Sequence, residues 1–349
     1  MDQAFQLMLR DVFDNNIPGL IEKLGFFINP LILKFRKENG RLLVFTFHGL
    51  FESEKQKALN HIDPQNNMLA CQFEELIDYF LNHKYKFISP EDITGGLNKE
   101  QPYAMITFDD GYFNNYLAID ILRKYQIPSV FFISTKFIVE NRSYWWDIIY
   151  KYRMKQGKNI NTIRNEQEYL KGLKFRLIEN YILKNFAIEA FKPWSDIDRP
   201  FNENEVKSNS KSPLVSFGNH THNHAILTKY TKEEIIEEFR ISNKIIFDLT
   251  GTLPITTAFP NGNFNDHVLE ATEEEGFRFA FTTKQKVNFL PFVQENLVCL
   301  NRFMTKPGNI SRFGSFCRLD YFPDGLYFGM RNQMAYLMNR SSSKAKIQQ

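Results

Sequence analysis

Three of the seven histidines of this chain lie within five residues, in the run His220-Thr-His222-Asn-His224. Imidazole nitrogens are common ligands of divalent metals, so this clustering favours a metal site over a chance polar loop. His220 and His224 are four residues apart, a spacing that places both rings on one face of a helical turn, while His222 points elsewhere. We therefore expect His220 and His224 to be metal ligands.

A second polar run, Asp109-Asp110-Gly111, follows the apolar residues 105–108. An Asp-Gly turn in which Asp110 caps the next helix is one interpretation. The other is functional, because acids at the carboxyl end of a barrel strand lie where such folds gather catalytic groups. With Asp110 added, two imidazoles and one carboxylate suit Zn²⁺ or another first-row ion and leave positions open for water and substrate.

Eight short apolar or β-branched runs alternate with segments of helical period, which predicts parallel strands joined by helices. We therefore predict an α/β fold, a distorted (β/α) barrel of seven or eight strands. The predicted strands are residues 42–47, 85–88, 104–108, 129–133, 214–217, 255–259, 277–281 and 298–302. The predicted helices are residues 71–83, 114–125, 231–250 and 265–275. Thr231-Lys-Glu-Glu234 predicts a capping box.

Three segments fall outside this alternation. Residues 136–212 are too long for an ordinary crossover, and their composition predicts a mostly helical insertion into a barrel of residues 41–305. Residues 1–40 are predicted as an N-terminal helical extension. Residues 306–349 are predicted as a C-terminal extension with a disordered, Ser- and Lys-rich tail.

Composition excludes several classes of protein. Hydrophobic residues make up 43% and charged residues 24% of the chain, which is ordinary globular usage. The formal charge is +3, with acids and bases interspersed, so no nucleic-acid partner is expected. Cys71, Cys299 and Cys317 have neither disulfide nor zinc-knuckle spacing. The acids near the amino terminus do not fit a signal peptide, so we expect a cytoplasmic protein.

The two polar runs resemble motifs of the polysaccharide deacetylase family of carbohydrate esterases, the chitooligosaccharide deacetylase type. Residues 107–111 are similar to the first motif, which implies Asp109 as the catalytic base and Asp110 as a metal ligand. Residues 220–224 are similar to the second motif, which implies the outer histidines as ligands. The resemblance extends over about residues 41–305.

A third segment, residues 258–262, resembles the family's site-lining segment more loosely. It implies that Asn261 offers its backbone N–H to the oxyanion of the reaction. Ala258 stands where many members carry an arginine that touches the base. Arg302, at the end of a later predicted strand, could replace that arginine, and a surface ion pair is the alternative for it.

The family usually takes its general acid from a late Leu-x-His segment, and past residue 262 this chain has only His267, inside a predicted helix. His48 ends the first predicted strand. Because the first and last strands of a closed barrel are neighbours, we predict His48 as the general acid. A buried structural histidine is the alternative.

The insertion begins with Tyr144-Trp145-Trp146-Asp147, which resembles an element in relatives associated with surface polysaccharide biosynthesis. The paired indoles could stack on a sugar or anchor the inserted helices. The residues predicted to contact substrate are Trp145, Trp146, Phe259, Pro260 and Arg302.

The resemblance implies a metal-dependent hydrolase that removes an N-acetyl group from a sugar in glycan or glycolipid biosynthesis. Zn²⁺ is the expected ion, with Co²⁺, Ni²⁺ or Mn²⁺ as alternatives. The expected substrate is an acylated amino sugar linked to a nucleotide, lipid or polymer, with peripheral membrane contact through the C-terminal region. A sugar deformylase, an O-acetyl esterase or a weakly catalytic carbohydrate-binding homologue stays open. Non-haem iron oxygenases share the ligand set, but they typically use a β-sandwich.

Overall fold

A computed structural model describes residue 29 and residues 32–64, 68–292, 296–305 and 308–320. The described strands are β1 (Arg41–Phe47), β2 (Lys86–Phe87), β3 (Tyr103–Phe108), β4 (Ser129–Ile133), β5 (Val215–Asn219), β6 (Thr256–Ala258), β7 (Phe279–Phe281), β8 (Asn288–Phe289), β9 (Val298–Leu300) and β10 (Phe303–Met304). They form one sheet in the order β10-β1-β3-β4-β5-β6-β7-β9, with β2 on β3 and β8 on β1. Only the β8–β1 pairing among them is antiparallel. The predicted barrel is confirmed, because eight strands nearly close into a ring.

The two ends of this ring, β9 and β10, are joined by Asn301 and Arg302. We call residues 301 and 302 the seam of the barrel. Asn288 on β8 stabilises the seam, because its side chain donates to the carbonyls of Leu42 (3.2 Å) and Asn301 (2.9 Å). Strands β8 and β10, which have two residues each, were not predicted.

The barrel interior is filled by alternate side chains of the strands. Leu42 and Val44 of β1 belong to one buried cluster with Met105 of β3. The rings of Phe45 and Phe47 point to the other face and pack against aromatic rings of a helix outside the barrel. Because successive strand residues face opposite sides, this alternation directs the odd-numbered side chains at the end of β3 inward.

Helices lie between most of these strands along the chain, and one follows the last strand. They are α1 (Glu54–Lys57), α2 (Ala70–Asn82), α3 (Pro90–Thr94), α4 (Tyr116–Tyr125), α5 (Thr135–Glu140), α6 (Trp145–Lys155), α7 (Ile160–Lys171), α8 (Phe175–Phe186), α9 (Glu203–Asn209), α10 (Lys232–Thr250), α11 (Asp266–Glu274) and α12 (Ile310–Leu319). The four predicted helices correspond to α2, α4, α10 and α11. The capping box at Thr231 is confirmed, and α10 ends at Gly251 in a left-handed conformation.

Between β4 and β5 the chain forms helices α5 to α9, which span the segment predicted as a helical insertion. Its helices enclose a second core, separate from the barrel interior, that contains Tyr144, Trp145 and Trp146. The insertion therefore has enough buried apolar surface to be an ordered body.

Residue contacts divide the chain into residues 39–310, which hold barrel and insertion, and a second unit of residues 1–38 and 311–349. In the second unit, Arg318 forms an ion pair with Glu38 at 2.6 Å. The predicted tail and most of the predicted N-terminal extension lie outside the described residues. None of the described helices has the length and hydropathy needed to cross a membrane.

Candidate metal centre

Strand register brings the two polar runs to one edge of the barrel. Strands β1 and β3 end together, so His48 and Asp109 leave the sheet side by side. Strands β5 and β6 also end together, which places His220 next to Ala258. Since all four strands are parallel, both pairs lie at the carboxyl edge, where barrel folds build their sites.

Three candidate ligands meet at this edge. Nε2 of His220 lies 3.4 Å from Oδ1 of Asp110, and Nε2 of His224 lies 3.2 Å from the same oxygen. One donor atom from each of the three residues lies within 4.8 Å of the other two. The Asp110 and His220 side chains are each only 2% exposed, so the cluster is shielded from water.

This donor set fits a divalent metal ion. Nδ1 of His220 lies 2.8 Å from the carbonyl oxygen of Ala258, which can only accept, so Nδ1 carries the proton and Nε2 turns a lone pair toward Asp110. Oδ1 of Asp110 is buried and has no hydrogen-bond partner within the part of the chain that the structure describes. A buried carboxylate oxygen without a donor is costly, and a cation among these three side chains would satisfy it.

The protonation states also suit metal binding. Burial would raise the pKa of Asp110, but the neighbouring imidazoles of His220 and His224 outweigh burial and lower it. Burial lowers the pKa of His224 and outweighs the attraction of Asp110. An ionised carboxylate and a neutral imidazole are the forms in which these side chains bind metals.

Asp109 is held differently, by a buried ion pair with Arg302. The two terminal guanidinium nitrogens donate to its two carboxylate oxygens at 2.6 and 2.7 Å. Burial would raise the pKa of Asp109, but the charges of Arg302, His220 and His48 hold it below its ordinary value. The Arg302 side chain is 0% exposed, so it is not the surface ion pair that the sequence left open. Arg302 thus touches Asp109 although residue 258 is alanine.

The loop of residues 220–224 is irregular, so the predicted helical turn was wrong. Thr221 and His224 have left-handed φ angles of 63° and 50°. The Thr221 hydroxyl accepts the N–H of Ala225 at 2.8 Å and closes the loop on itself. The two rings converge because the chain folds back through left-handed residues, and not because of helical periodicity.

The other two histidines of the predicted site region occupy different surroundings. Nδ1 of His222 lies 3.0 Å from the hydroxyl of Thr135, away from Asp110. His48 is half-buried, and its charge contributes to lowering the pKa of both Asp109 and Asp110. His48 therefore lies close enough to both carboxylates to interact with them.

The residues predicted to line the substrate site divide into buried and exposed ones. Phe259 and Pro260 are buried, whereas Asn261 is exposed and has a left-handed φ of 59°. Gly262 follows, and a Cβ there would collide with the Thr283 hydroxyl. Only glycine fits this position, which fixes the path of the backbone at Asn261.

Trp145 and Trp146 are 3% and 5% exposed and pack in the core of the insertion. This burial agrees with the anchoring interpretation, and sugar stacking stays a prediction for both. Trp146 also lies against the ring of His224, with the ring centroids 4.5 Å apart.

Two tyrosines next to the motifs were given no role from the sequence. The Tyr144 hydroxyl donates to the carbonyl oxygen of Asp110 at 2.7 Å. The Tyr112 hydroxyl accepts from the indole nitrogen of Trp146 at 2.8 Å. Tyr144 stands directly before the paired indoles and Tyr112 directly after Asp-Asp-Gly. These positions were the only sign in the sequence that either tyrosine belongs to the site.

The fold is a parallel β/α barrel that holds an Asp, His, His cluster beside a second, ionised Asp. These features define a class of barrel proteins with a candidate metal site at the carboxyl edge. Within this class, residues 96–280, just over half of the chain, match the family model described as polysaccharide deacetylase. The chain belongs to the polysaccharide deacetylase family, as its motifs predicted. YxkH of Bacillus subtilis, which carries the family's name, is 21% identical over 251 residues, 70% of this chain and 68% of that protein.

Solved structures share the fold at low sequence identity. BC0361, a polysaccharide deacetylase from Bacillus cereus, superposes with a TM-score of 0.55 at 18% identity, over 80% of this chain and 69% of its own. The Streptococcus pyogenes deacetylase PplD, solved with acetate, gives 0.52 at 16% identity over 83% and 97%. IcaB from Ammonifex degensii gives 0.53 at 15% identity over 80% and 97%. These similarities support the barrel architecture.

Proposed function

We propose that this protein is a metal-dependent hydrolase that removes an N-acetyl group from a sugar. Family membership supports a deacetylase. The observation that carries the metal dependence is the cluster of Asp110, His220 and His224, in which a buried carboxylate oxygen has no hydrogen-bond partner from the described ranges.

In this proposal Asp110, His220 and His224 hold the ion. Zn²⁺ suits two imidazoles and a carboxylate best, and Co²⁺, Ni²⁺ or Mn²⁺ are alternatives. When bound there, a divalent ion supplies Lewis acidity toward the acyl carbonyl and toward water.

Asp109 is the proposed general base. It takes the proton of the attacking water, and its lowered pKa keeps it ionised and ready to accept. Arg302 was predicted to contact the substrate, but we assign it the role of orienting Asp109. Both of its terminal guanidinium nitrogens donate to Asp109, and its side chain is 0% exposed. The guanidinium fixes the orientation of the carboxylate and favours its charged form.

His48 is the proposed general acid, since strand register places it beside Asp109 at the same edge. It would return a proton to the departing amine as acetate leaves. The backbone N–H of Asn261 is the proposed oxyanion donor, on a loop whose left-handed turn is fixed by Gly262.

The proposed substrate is an acylated amino sugar linked to a nucleotide, a lipid or a polymer, and deformylation or O-deacetylation are the alternative reactions. A cytoplasmic location with peripheral membrane contact stays a prediction. The weakly catalytic alternative rested on the alanine at position 258. The Arg302–Asp109 pair removes that reason, because the missing arginine contact is supplied from the link between β9 and β10.

An Asp109→Asn variant tests the assignment of the base. We expect turnover to fall by at least about 100-fold, because general base catalysis contributes that much, while the bound metal per chain stays unchanged. Acetate release is measured on a panel of N-acetylated, N-formylated and O-acetylated UDP-sugars and lipid-linked sugars, with and without chelator. Full activity of the variant would remove Asp109 from the mechanism. Sugar binding without acyl release by the wild-type protein would favour the binding homologue.

A further inference from the structure

The two candidate histidine ligands differ in what holds their rings. Nδ1 of His220 is hydrogen-bonded to the backbone carbonyl of Ala258, as is usual for metal-binding histidines. Nδ1 of His224 is buried and has no hydrogen-bond partner among the described residues. The orientation of the His224 ring must therefore depend on packing.

The packing partner of His224 comes from the insertion. The ring of Trp146 lies against it at 4.5 Å between centroids, with an angle of 53° between the planes. Trp146 is itself immobilised, because its ring stacks on Tyr144 at 4.8 Å between centroids and its indole nitrogen donates to the hydroxyl of Tyr112 at 2.8 Å. A locked indole can define the position of an imidazole that lacks its own hydrogen bond.

The insertion also supports Asp110. This residue has a left-handed φ of 71°, which residues with a side chain adopt less readily than glycine does. The Tyr144 hydroxyl donates to its carbonyl oxygen at 2.7 Å and holds the peptide in that conformation. Without this bond, the backbone that aims the carboxylate at the two imidazoles loses one of its restraints.

Asp147 connects these contacts to the rest of the insertion. One carboxylate oxygen accepts from the Tyr112 hydroxyl at 2.7 Å, and the other accepts from the backbone N–H of Asp63 at 2.7 Å. Asp147 is completely buried. Tyr112 is thus held between Trp146 and Asp147 and follows directly on the Asp-Asp-Gly run.

We propose that Tyr144, Trp146 and Asp147 of the insertion position two of the three metal ligands, so that metal affinity depends on the insertion. Tyr144 acts on Asp110 through the backbone carbonyl of Asp110, Trp146 acts on His224 through ring packing, and Asp147 fixes Tyr112, whose hydroxyl accepts from the Trp146 indole. None of these residues needs to touch the ion or the sugar. The inference rests on the proposed metal site, but it does not depend on the reaction that the site catalyses.

The test measures Zn²⁺ affinity by competition with a chromophoric chelator, and the visible spectrum of bound Co²⁺, in the full-length protein. Tyr144→Phe removes one hydroxyl and keeps the ring, and Trp146→Leu removes the indole. Trp145→Leu is the matched control, because Trp145 is equally buried and packs edge-on against Trp146. We expect Tyr144→Phe and Trp146→Leu each to weaken Zn²⁺ binding by about 10- to 100-fold and to change the Co²⁺ spectrum. Trp145→Leu should lower thermal stability with Zn²⁺ affinity and the Co²⁺ spectrum unchanged.

The proposal is overturned if Tyr144→Phe and Trp146→Leu bind metal as the wild type does. It is equally overturned if Trp145→Leu weakens binding to the same extent, because the effect would then reflect general packing. Tyr144→Phe keeps the test decisive if the tryptophan variants do not fold. Failure of the proposed reaction alone gives a different result: the wild-type protein then binds metal but releases no acyl group, whatever the insertion variants do.

Discussion

Asp109 and Asp110 are adjacent in the chain, yet two different regions of the molecule hold them by different means. The barrel holds Asp109 through the side chain, with two charged hydrogen bonds from Arg302 at the seam. The insertion holds Asp110 through the backbone, with one neutral hydrogen bond from Tyr144. A charged partner fixes both the orientation and the charge of a carboxylate, whereas a backbone contact fixes its position and leaves its oxygens free for a ligand. The comparison explains how neighbouring residues can take separate roles.

The largest effect is expected from breaking the barrel side. Arg302→Met leaves Asp109 buried without a cation, so we expect the free energy of unfolding to fall by about 3–5 kcal/mol and the pKa of Asp109 to rise. Urea unfolding measures the loss. The double variant Asp109→Asn, Arg302→Met removes the stranded charge and should recover part of the stability. An Arg302→Met protein as stable as the wild type would show that the pair is not what holds Asp109.

The next largest effect is expected at Gly111, which follows Asp110 directly. Gly111 has a φ of 87°, and a Cβ there would stand 2.8 Å from Cγ2 of Ile133. Gly111→Ala should therefore lower the free energy of unfolding by about 2–4 kcal/mol and weaken metal binding. Gly251→Ala is the matched control, because its φ is 75° and nothing lies within 4 Å of a Cβ, so it should lose only about 1–2 kcal/mol. Equal losses in both variants would rule out the contact with Ile133.

A smaller effect is expected in the pH dependence of stability, to which Asp147 in the insertion and Asp109 in the barrel contribute with opposite signs. Burial raises the pKa of Asp147 in the insertion, so the folded state binds more protons than the unfolded state above about pH 3.9. Stability from Asp147 grows as pH falls through its folded pKa and is lost as pH rises. Asp109 has the opposite sign: its lowered pKa adds stability above about pH 3.9 that is lost as pH falls through the folded pKa.

Thermal unfolding of Asp147→Asn and Asp109→Asn across pH tests this contrast. Relative to the wild type, Asp147→Asn should gain stability as pH rises, by at most about 1.4 kcal/mol per pH unit. Asp109→Asn should lose relative stability as pH rises from acid to neutral. Parallel curves for the two variants would contradict the assigned pKa directions.

The smallest effect is expected at His222. Its ring contacts Thr135 and not the ligand cluster, so His222→Ala should leave Zn²⁺ affinity within about threefold of the wild type. His224→Ala, two residues away, should lower it by more than about 100-fold, because it removes a proposed ligand. Chelator competition measures both. A large loss at His222 would mean that the ligand set is wrong.

The sequence predicted those parts of the molecule that depend on local pattern. Short apolar runs predicted eight of the ten described strands, and Thr231 with Glu234 predicted the start of α10. The approach of His220 and His224 was predicted for the wrong reason, since their loop turns through left-handed residues that spacing does not show.

Non-local contacts were the parts that the sequence could not predict. Arg302 could be proposed as a partner of Asp109 only through the missing arginine at residue 258, and nothing local shows that it is buried. The support of Asp110 by Tyr144 joins a backbone carbonyl to a hydroxyl 34 positions away. Such a contact depends on how the insertion packs and leaves no periodic trace in the chain.

The seam of the barrel has a consequence for the order in which this protein matures. Arg302 and Asp109 are 193 positions apart, and Arg302 lies in the link between the terminal strands. A nascent chain emerging from the ribosome therefore carries Asp109 without its counter-charge until residue 302 has been synthesised and the ring has closed. Under the proposed mechanism, enzymatic activity is among the last properties that the growing chain acquires. The time at which activity appears would therefore report when the barrel is complete.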